Sequence, residues 1–144
     1  NVQWQNVGVI LGSGTSGTLS NITIRNGRGT GMQIYGTDTV RLSNVTISKV
    51  ATNATDDGIY IERKFLPAGS LTVLMDRVSV DTIARYGINN VNAKVQLQSV
   101  SVSGAKVRAY NGSFVTVAPA PVDTPKVPVP LFILYSDSTW RKVG

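Results

Sequence analysis

The chain of 144 residues contains no cysteine and no histidine. The first absence excludes a disulfide framework and a thiolate metal site, and it fits folding in a reducing bacterial cytosol. The second removes the commonest general base and the commonest metal ligand. Neither a metal nor a cofactor is therefore expected. Charged residues make up only 15% of the chain and aromatics only 7%. Nothing approaches the run of about 18 apolar residues that a membrane-crossing helix needs, so no membrane insertion is expected.

What the chain does have is Gly, Ser, Thr, Asn and Val, a mixture that suits strands and turns and disfavours helix. The length fits one domain. The chain starts at Asn1, with no charged-then-apolar signal segment, so it is expected to be a piece of something longer. The net charge of +6 raises the question of nucleic acid. The basic residues are scattered, with no run beyond a pair, and read as a solvated surface. No nucleic-acid partner is expected, whereas the long-range field would favour an anionic polysaccharide.

One six-position phrase, apolar-x-x-apolar-x-apolar, recurs. It reads Leu19-Ser-Asn-Ile22-Thr-Ile24, Leu42-Ser-Asn-Val45-Thr-Ile47, Met75-Asp-Arg-Val78-Ser-Val80 and Leu97-Gln-Ser-Val100-Ser-Val102, with starts 23, 33 and 22 residues apart. A period just above twenty residues marks one structural unit, stacked. Apolar positions two apart share one face of a strand. The spacing of three shifts that period by one, so the chain must bend between two short strands to keep both apolar sets inward. Asn21 and Asn44 stand at the bend, and Asn tolerates the left-handed region well. Arg77 and Ser99 replace them later, which limits an asparagine ladder to two units.

A further short strand is expected after each phrase, at Gly31-Met-Gln-Ile34, Gly58-Ile-Tyr-Ile61 and Gly87-Ile-Asn-Asn-Val91. Three short strands per unit predict an all-β parallel β-helix, with about ten extra residues of the long spacing bulging out at 49–57 and 63–70. Trp4-Gln-Asn-Val7-Gly-Val9 matches the phrase but lies too close to Leu19 for a whole unit. It is either an incomplete unit or a strand continuing an upstream body.

The pattern stops after Val117. Five of the six prolines fall within 119–130, and proline cannot donate to a sheet ladder, so an extended stiff linker is expected there. Leu131, Phe132, Ile133, Leu134 and Tyr135 follow as an apolar strand, closed by Trp140. Such a strand needs cover. It is expected either to cap the last unit or to pack against the same segment of neighbouring chains. The expected organisation is thus 1–118 coils, 119–130 linker and 131–144 cap or oligomerisation strand.

The phrase, the bend asparagines and the segment Asp56-Asp-Gly-Ile-Tyr-Ile61 together resemble a right-handed pectate-lyase-type β-helix over residues 4–117. With its proline-rich extension and terminal apolar strand, the chain is similar to the C-terminal part of phage tailspike and tail-fibre proteins. That resemblance implies a homotrimer on the virion tail, facing the host, that binds bacterial surface polysaccharide. The rival reading is a polysaccharide depolymerase, hydrolase or lyase, whose catalytic coils lie largely outside this piece. A third is a purely structural part that locks a trimer.

Asp56 and Asp57 are the only paired acids and the candidate catalytic residues. Two carboxylates about 5 to 9.5 Å apart across a sugar serve as acid and base or nucleophile. Neighbours on a strand point to opposite faces, however, and Asp57 before Gly58 also reads as a turn residue. Polygalacturonate-hydrolysing relatives add Gly-His-Gly and Arg-Ile-Lys motifs, which this sequence lacks. For glycan binding the candidates are Tyr35 and Tyr60, whose rings would stack on sugars, and Glu62, Arg63 and Lys64, which would hold an acidic sugar by charge-assisted hydrogen bonds. Tyr35, Tyr60, Tyr86 and Tyr110 fall once per unit but in no common register, so no single tyrosine stripe is expected. Residues 27–31 are glycine-rich without the Lys-Ser/Thr of a phosphate loop, and read as a connecting loop.

Overall fold

In a computed structural model of the protein, the described residues are 7–12, 14–35, 38–63, 71–118, 131–134 and 140–143. They are all-β: the described residues include no helix, and so none long and apolar enough to cross a membrane. The strands are β1 (Val9–Leu11), β2 (Gly17–Arg25), β3 (Met32–Ile34), β4 (Thr39–Val50), β5 (Ile59–Ile61), β6 (Thr72–Ile83), β7 (Tyr86–Asn90), β8 (Lys94–Ala105), β9 (Arg108–Asn111), β10 (Val115–Thr116), β11 (Leu131–Leu134) and β12 (Trp140–Val143). Odd-numbered strands form one five-stranded sheet in the order β1-β3-β5-β7-β9, here the short-strand sheet. Even-numbered strands form a second in the order β10-β8-β6-β4-β2, here the long-strand sheet. Every pairing within these two sheets is parallel, and the chain visits them alternately.

Register turns the sequence repeat into columns. Leu19, Leu42, Met75 and Leu97 lie on successive rungs, as do Ile22, Val45, Val78 and Val100, and Ile24, Ile47, Val80 and Val102. Rungs about 4.8 Å apart put like side chains in van der Waals contact. Met32, Ile59 and Ile88 build the matching column from the other sheet. The central rungs are sealed, while Leu19, Ile22 and Ile24 at one end and Val100 and Val102 at the other are half-buried. At the β8–β9–β10 end a cavity of about 480 Å³ is lined by Leu97, Val100, Tyr110 and Phe114.

The bend falls where the phrase places it. Asn21, Asn44, Arg77 and Ser99 all have φ between 53° and 57°, so the backbone turns there even without asparagine. The Asn44 amide donates to Asn21 Oδ1 at 2.8 Å, a ladder of two asparagines. The two expected strands flanking the bend are one continuous bent strand. A second bend, not foreseen, follows five residues later at Asn26, Lys49, Thr82 and Gly104, again with positive φ. It brings Val50 and Ile83 into the core.

The insertion divides as expected. Val9 to Met32 is 23 residues, Met32 to Ile59 is 27 and Val40 to Val73 is 33. The third unit therefore gains 27 − 23 = 4 residues before β5 and 33 − 27 = 6 after it. The N-terminal match to the phrase resolves differently. Val9 pairs with Met32, so it belongs to the short-strand sheet and not to a copy of the phrase.

The linker 119–130 and Tyr135 lie outside the described residues. Leu131–Leu134 and Trp140–Val143 pair antiparallel, Leu131 with Val143 and Leu134 with Trp140. The expected single terminal strand is therefore a two-stranded unit, and neither strand joins the parallel sheets.

The two sheets meet along a column of glycines. A Cβ on Gly31 would lie 2.7 Å from both the Gly58 carbonyl oxygen and Ile47 Cγ2, and one on Gly58 would lie 2.5 Å from the Gly87 oxygen and 2.6 Å from Val80 Cγ1. Gly58→Ala is expected to destabilise the protein by about 3 kcal/mol, the upper end of overpacking costs, because backbone oxygen cannot move aside. Gly12→Ala, where a Cβ meets nothing within 4 Å, is the control and should stay within about 0.5 kcal/mol. Urea melts of both variants check this, and equal effects would refute it. At the second bend Thr82 is a β-branched residue at φ 56°. Relief of that strain exceeds the entropy of an added glycine, so Thr82→Gly should stabilise by about 0.5–1 kcal/mol. A lower melting temperature would contradict the strain.

Candidate functional site

The short-strand sheet presents its outward positions in rows. Gln33, Tyr60, Asn89 and Asn111 are successive partners across β3, β5, β7 and β9. Burial alternates as Ile59 in, Tyr60 out, Ile61 in, so Tyr60 stands on the outer surface with its neighbours above and below. Tyr35, just past β3, packs its ring edge-on against Tyr60, with centroids 6.1 Å apart and planes at 62°. The Tyr60 hydroxyl donates to Glu62 Oε2 at 2.9 Å, and that of Tyr35 to Gln33 Oε1 at 3.2 Å. Partial burial, then the hydrogen bond and charge of Glu62, push the Tyr60 phenol up to about 12. It therefore remains a protonated donor at any physiological pH.

Asp57 sits beside this row and is 1% exposed. Its Oδ2 accepts from the Asn89 amide at 2.8 Å and its Oδ1 from the Tyr86 N–H at 3.4 Å. Its own N–H donates to Thr30 Oγ1 at 3.3 Å. Arg85 Nε lies 3.6 Å from Oδ1, and the same guanidinium sits 4.4 Å above the Tyr86 ring and donates to the Thr55 carbonyl. Arg85 thus clamps the inserted loop before β5 down over the carboxyl. Asn111 donates to Asn89 Oδ1 at 2.9 Å, which extends the polar chain to the next rung.

Two opposing effects act on Asp57. Desolvation is the larger and raises its pKa above the ordinary 3.8. The Asn89 amide, the Arg85 charge and the Tyr86 N–H pull it down, in that order, without winning.

Asp56 takes different partners. It is half-buried and accepts from the Asn53 amide at 3.1 Å, while its N–H donates to the Asn53 carbonyl, closing a turn. The sequence-predicted residues therefore divide. Tyr35, Tyr60 and Glu62 come together on one outward face with Asp57 at its margin. Asp56 belongs to the turn of the inserted loop. The Arg63 N–H donates to Asn92 Oδ1 at 2.9 Å, and Lys64 lies outside the described residues. Tyr110 pairs with Ile88 and packs on Phe114 at the end of the core column, away from Tyr60.

Sequence reasoning missed Thr30, Arg85, Tyr86 and Asn89. One signal was available: Asn89 and Asn111 are 22 residues apart, one unit, so the repeat alone stacks one amide on the other. Arg85 and Tyr86 carry no such signal, because their role comes from the folded inserted loop. Among the described residues no cluster of three or more metal-ligating side chains occurs. No family model, curated protein or solved structure matches the chain.

A carboxyl with a higher pKa folded than unfolded binds its proton more tightly in the native state. Its contribution to stability is full below the unfolded pKa and is lost as pH rises through the native one. The stability of the wild type relative to Asp57→Asn, which cannot titrate, should therefore fall as pH is raised from 3.5 through the raised value. Chemical denaturation of both proteins across that range checks the sign. A difference that is flat, or that grows with pH, would show that the donors outweigh burial.

Proposed function

We propose that this chain is part of a phage tailspike or tail-fibre protein that adheres, as a homotrimer, to bacterial surface polysaccharide at the host-facing end of the virion tail. In this reading the two sheets are faces of one right-handed parallel β-helix. Alternating visits to two in-register parallel sheets support the coil, and parallel crossovers are right-handed in about 98% of cases. The observation that carries the binding role is the Tyr35–Tyr60 pair beside Glu62 and Gln33. Aromatic rings give a sugar its apolar contact, and the flanking carboxylate and amide match its hydroxyls. The terminal strand pair supports assembly, because an isolated two-stranded unit is marginal in water and gains by packing between chains.

A second reading, a polysaccharide hydrolase or lyase with its catalytic residues largely outside this piece, is favoured by the raised pKa of Asp57, a property of general acids. The two-carboxylate mechanism requires both acids to face one sugar. Here Asp57 is enclosed by Asn89, Tyr86 and Arg85 while Asp56 is held by Asn53. Adhesion is the better-supported reading.

Affinity electrophoresis against capsule and lipopolysaccharide from a panel of bacteria tests it. At least one glycan should retard the wild type, and Tyr60→Ala should weaken that retardation about tenfold, the loss of one ring contact. Light scattering should give three times the 15.3 kDa chain mass. A monomer would remove the trimer, and release of glycan fragments that Asp57→Asn abolishes would move the assignment to the enzyme.

A further inference from the structure

The outward face of the long-strand sheet carries a groove that the reading above does not use. Its volume is about 390 Å³, within the roughly 300–1,000 Å³ of small-ligand clefts. Two rows of side chains line it. Arg41, Leu74 and Gln96 are successive partners across β4, β6 and β8, and Ser43, Asp76 and Gln98 are successive partners two positions further on. Rungs about 4.8 Å apart make each row about 10 Å long, with the rows about 7 Å apart.

The two rows differ in how they are satisfied. Arg77, at the bend, runs along the second row: its Nε lies 3.1 Å from Asp76 Oδ2 and its Nη2 donates to Ser43 Oγ at 3.1 Å. The Asp76 charge is therefore already paired. The side chains of Arg41, Gln96 and Gln98 make no hydrogen bond or ion pair among the described residues. Arg41 and Gln96 are exposed, and Leu74 between them is half-buried. The groove thus holds one unpaired guanidinium, two free amides and an apolar patch between them.

We propose that this groove binds a short acidic oligosaccharide. Arg41 receives a sugar carboxylate through its two-pronged donor edge. Gln96 and Gln98 offer both donors and acceptors to ring hydroxyls, and Leu74 meets the C–H face of one ring. An acidic peptide fits less well. Extended peptides bind sheets by adding to an edge through backbone hydrogen bonds, and the backbone of β4 and β6 is already committed to neighbours on both sides. The inference stands on the groove's own groups and does not require the Tyr60 face.

The test uses the full chain, calorimetric titration and NMR of the glutamine side-chain amides. The probes are a trimer of mannuronic acid, the neutral mannose trimer and a hexaglutamate peptide. The acidic trimer should shift the Gln96 and Gln98 amide signals and bind more tightly than the neutral one. Arg41→Gln should weaken it about tenfold, and Gln96→Ala should weaken it several-fold; both side chains are exposed, so melting temperatures should stay unchanged. Tyr60→Ala should leave these shifts intact. The proposal falls if the amides do not move, if Arg41→Gln binds as the wild type does, or if the mannose trimer binds equally well. It also falls if hexaglutamate moves the same signals more strongly. Binding abolished by Tyr60→Ala alone would overturn this groove while leaving the Tyr35–Tyr60 reading in place.

Discussion

The contact on which this architecture depends is the approach of the two sheets at Gly31, Gly58 and Gly87. There the backbone of the short-strand sheet lies against Ile47, Val80 and Val102 of the long-strand sheet with no room for a Cβ. The long-strand sheet alone has only one sealed face. Its apolar columns are closed by Met32, Ile34, Ile59, Ile61 and Ile88 from across the interior. A side chain at any one of these glycines would push the sheets apart on its own rung. Because each rung pairs with the next, the shift would pass to its neighbours. At one end the column gives way to Ala109 after Gly87, beside the half-buried Val100 and Val102.

The period that stacks the interior also orders the exterior. Once register is fixed, outward side chains must form rows at the rung spacing whether or not they have a role. Tyr60 gains its neighbours Gln33 and Asn89 in this way, and Arg41 its neighbours Leu74 and Gln96. The inserted loop breaks this regularity. The residues gained before β5 fold over Asp57, and Arg85 holds them by its bond to Thr55. A carboxyl at the edge of an outward row is thereby taken out of water, and its raised pKa follows from that cover. The inserted loop is thus tied to the raised pKa of Asp57.

Much of this was legible in the sequence, for a definite reason. The phrase at Leu19, Leu42, Met75 and Leu97 encodes both the strand period and its interruption, so the first bend could be placed to the residue. The second bend could not. Asn26, Lys49, Thr82 and Gly104 share no chemistry, and φ near 55° is imposed on Lys49 and Thr82 by the ladder around them. The same override explains Arg77 and Ser99, where tertiary pairing outweighs local preference. Gly31, Gly58 and Gly87 were visible as strand starts, but nothing local marks them as the seam between sheets. Tyr35 and Tyr60 were the two tyrosines singled out for glycan stacking, and their rings do meet. The partners of Asp57 come from units one period away and from a loop, so only the Asn89–Asn111 spacing hinted at them.

The two polar features of the outer surface differ physically, and the difference bears on function. Around Asp57 the donors are already engaged: Asn89, Asn111, Arg85 and the Tyr86 N–H form one connected network. Such a network resists entry of a ligand, because each bond a sugar made there would replace one already present. At Arg41, Gln96 and Gln98 the donors and acceptors face water, so a ligand displaces solvent and leaves the protein's own bonds intact. Burial and satisfaction mark the Asp57 cluster as the part that fixes the inserted loop. Exposure and unsatisfied polarity mark the groove as a place where binding requires no rearrangement. A stack with every rung tied to the next has little freedom to open a closed network, so the polar groups open to a ligand are those in the rows that already stand in solvent.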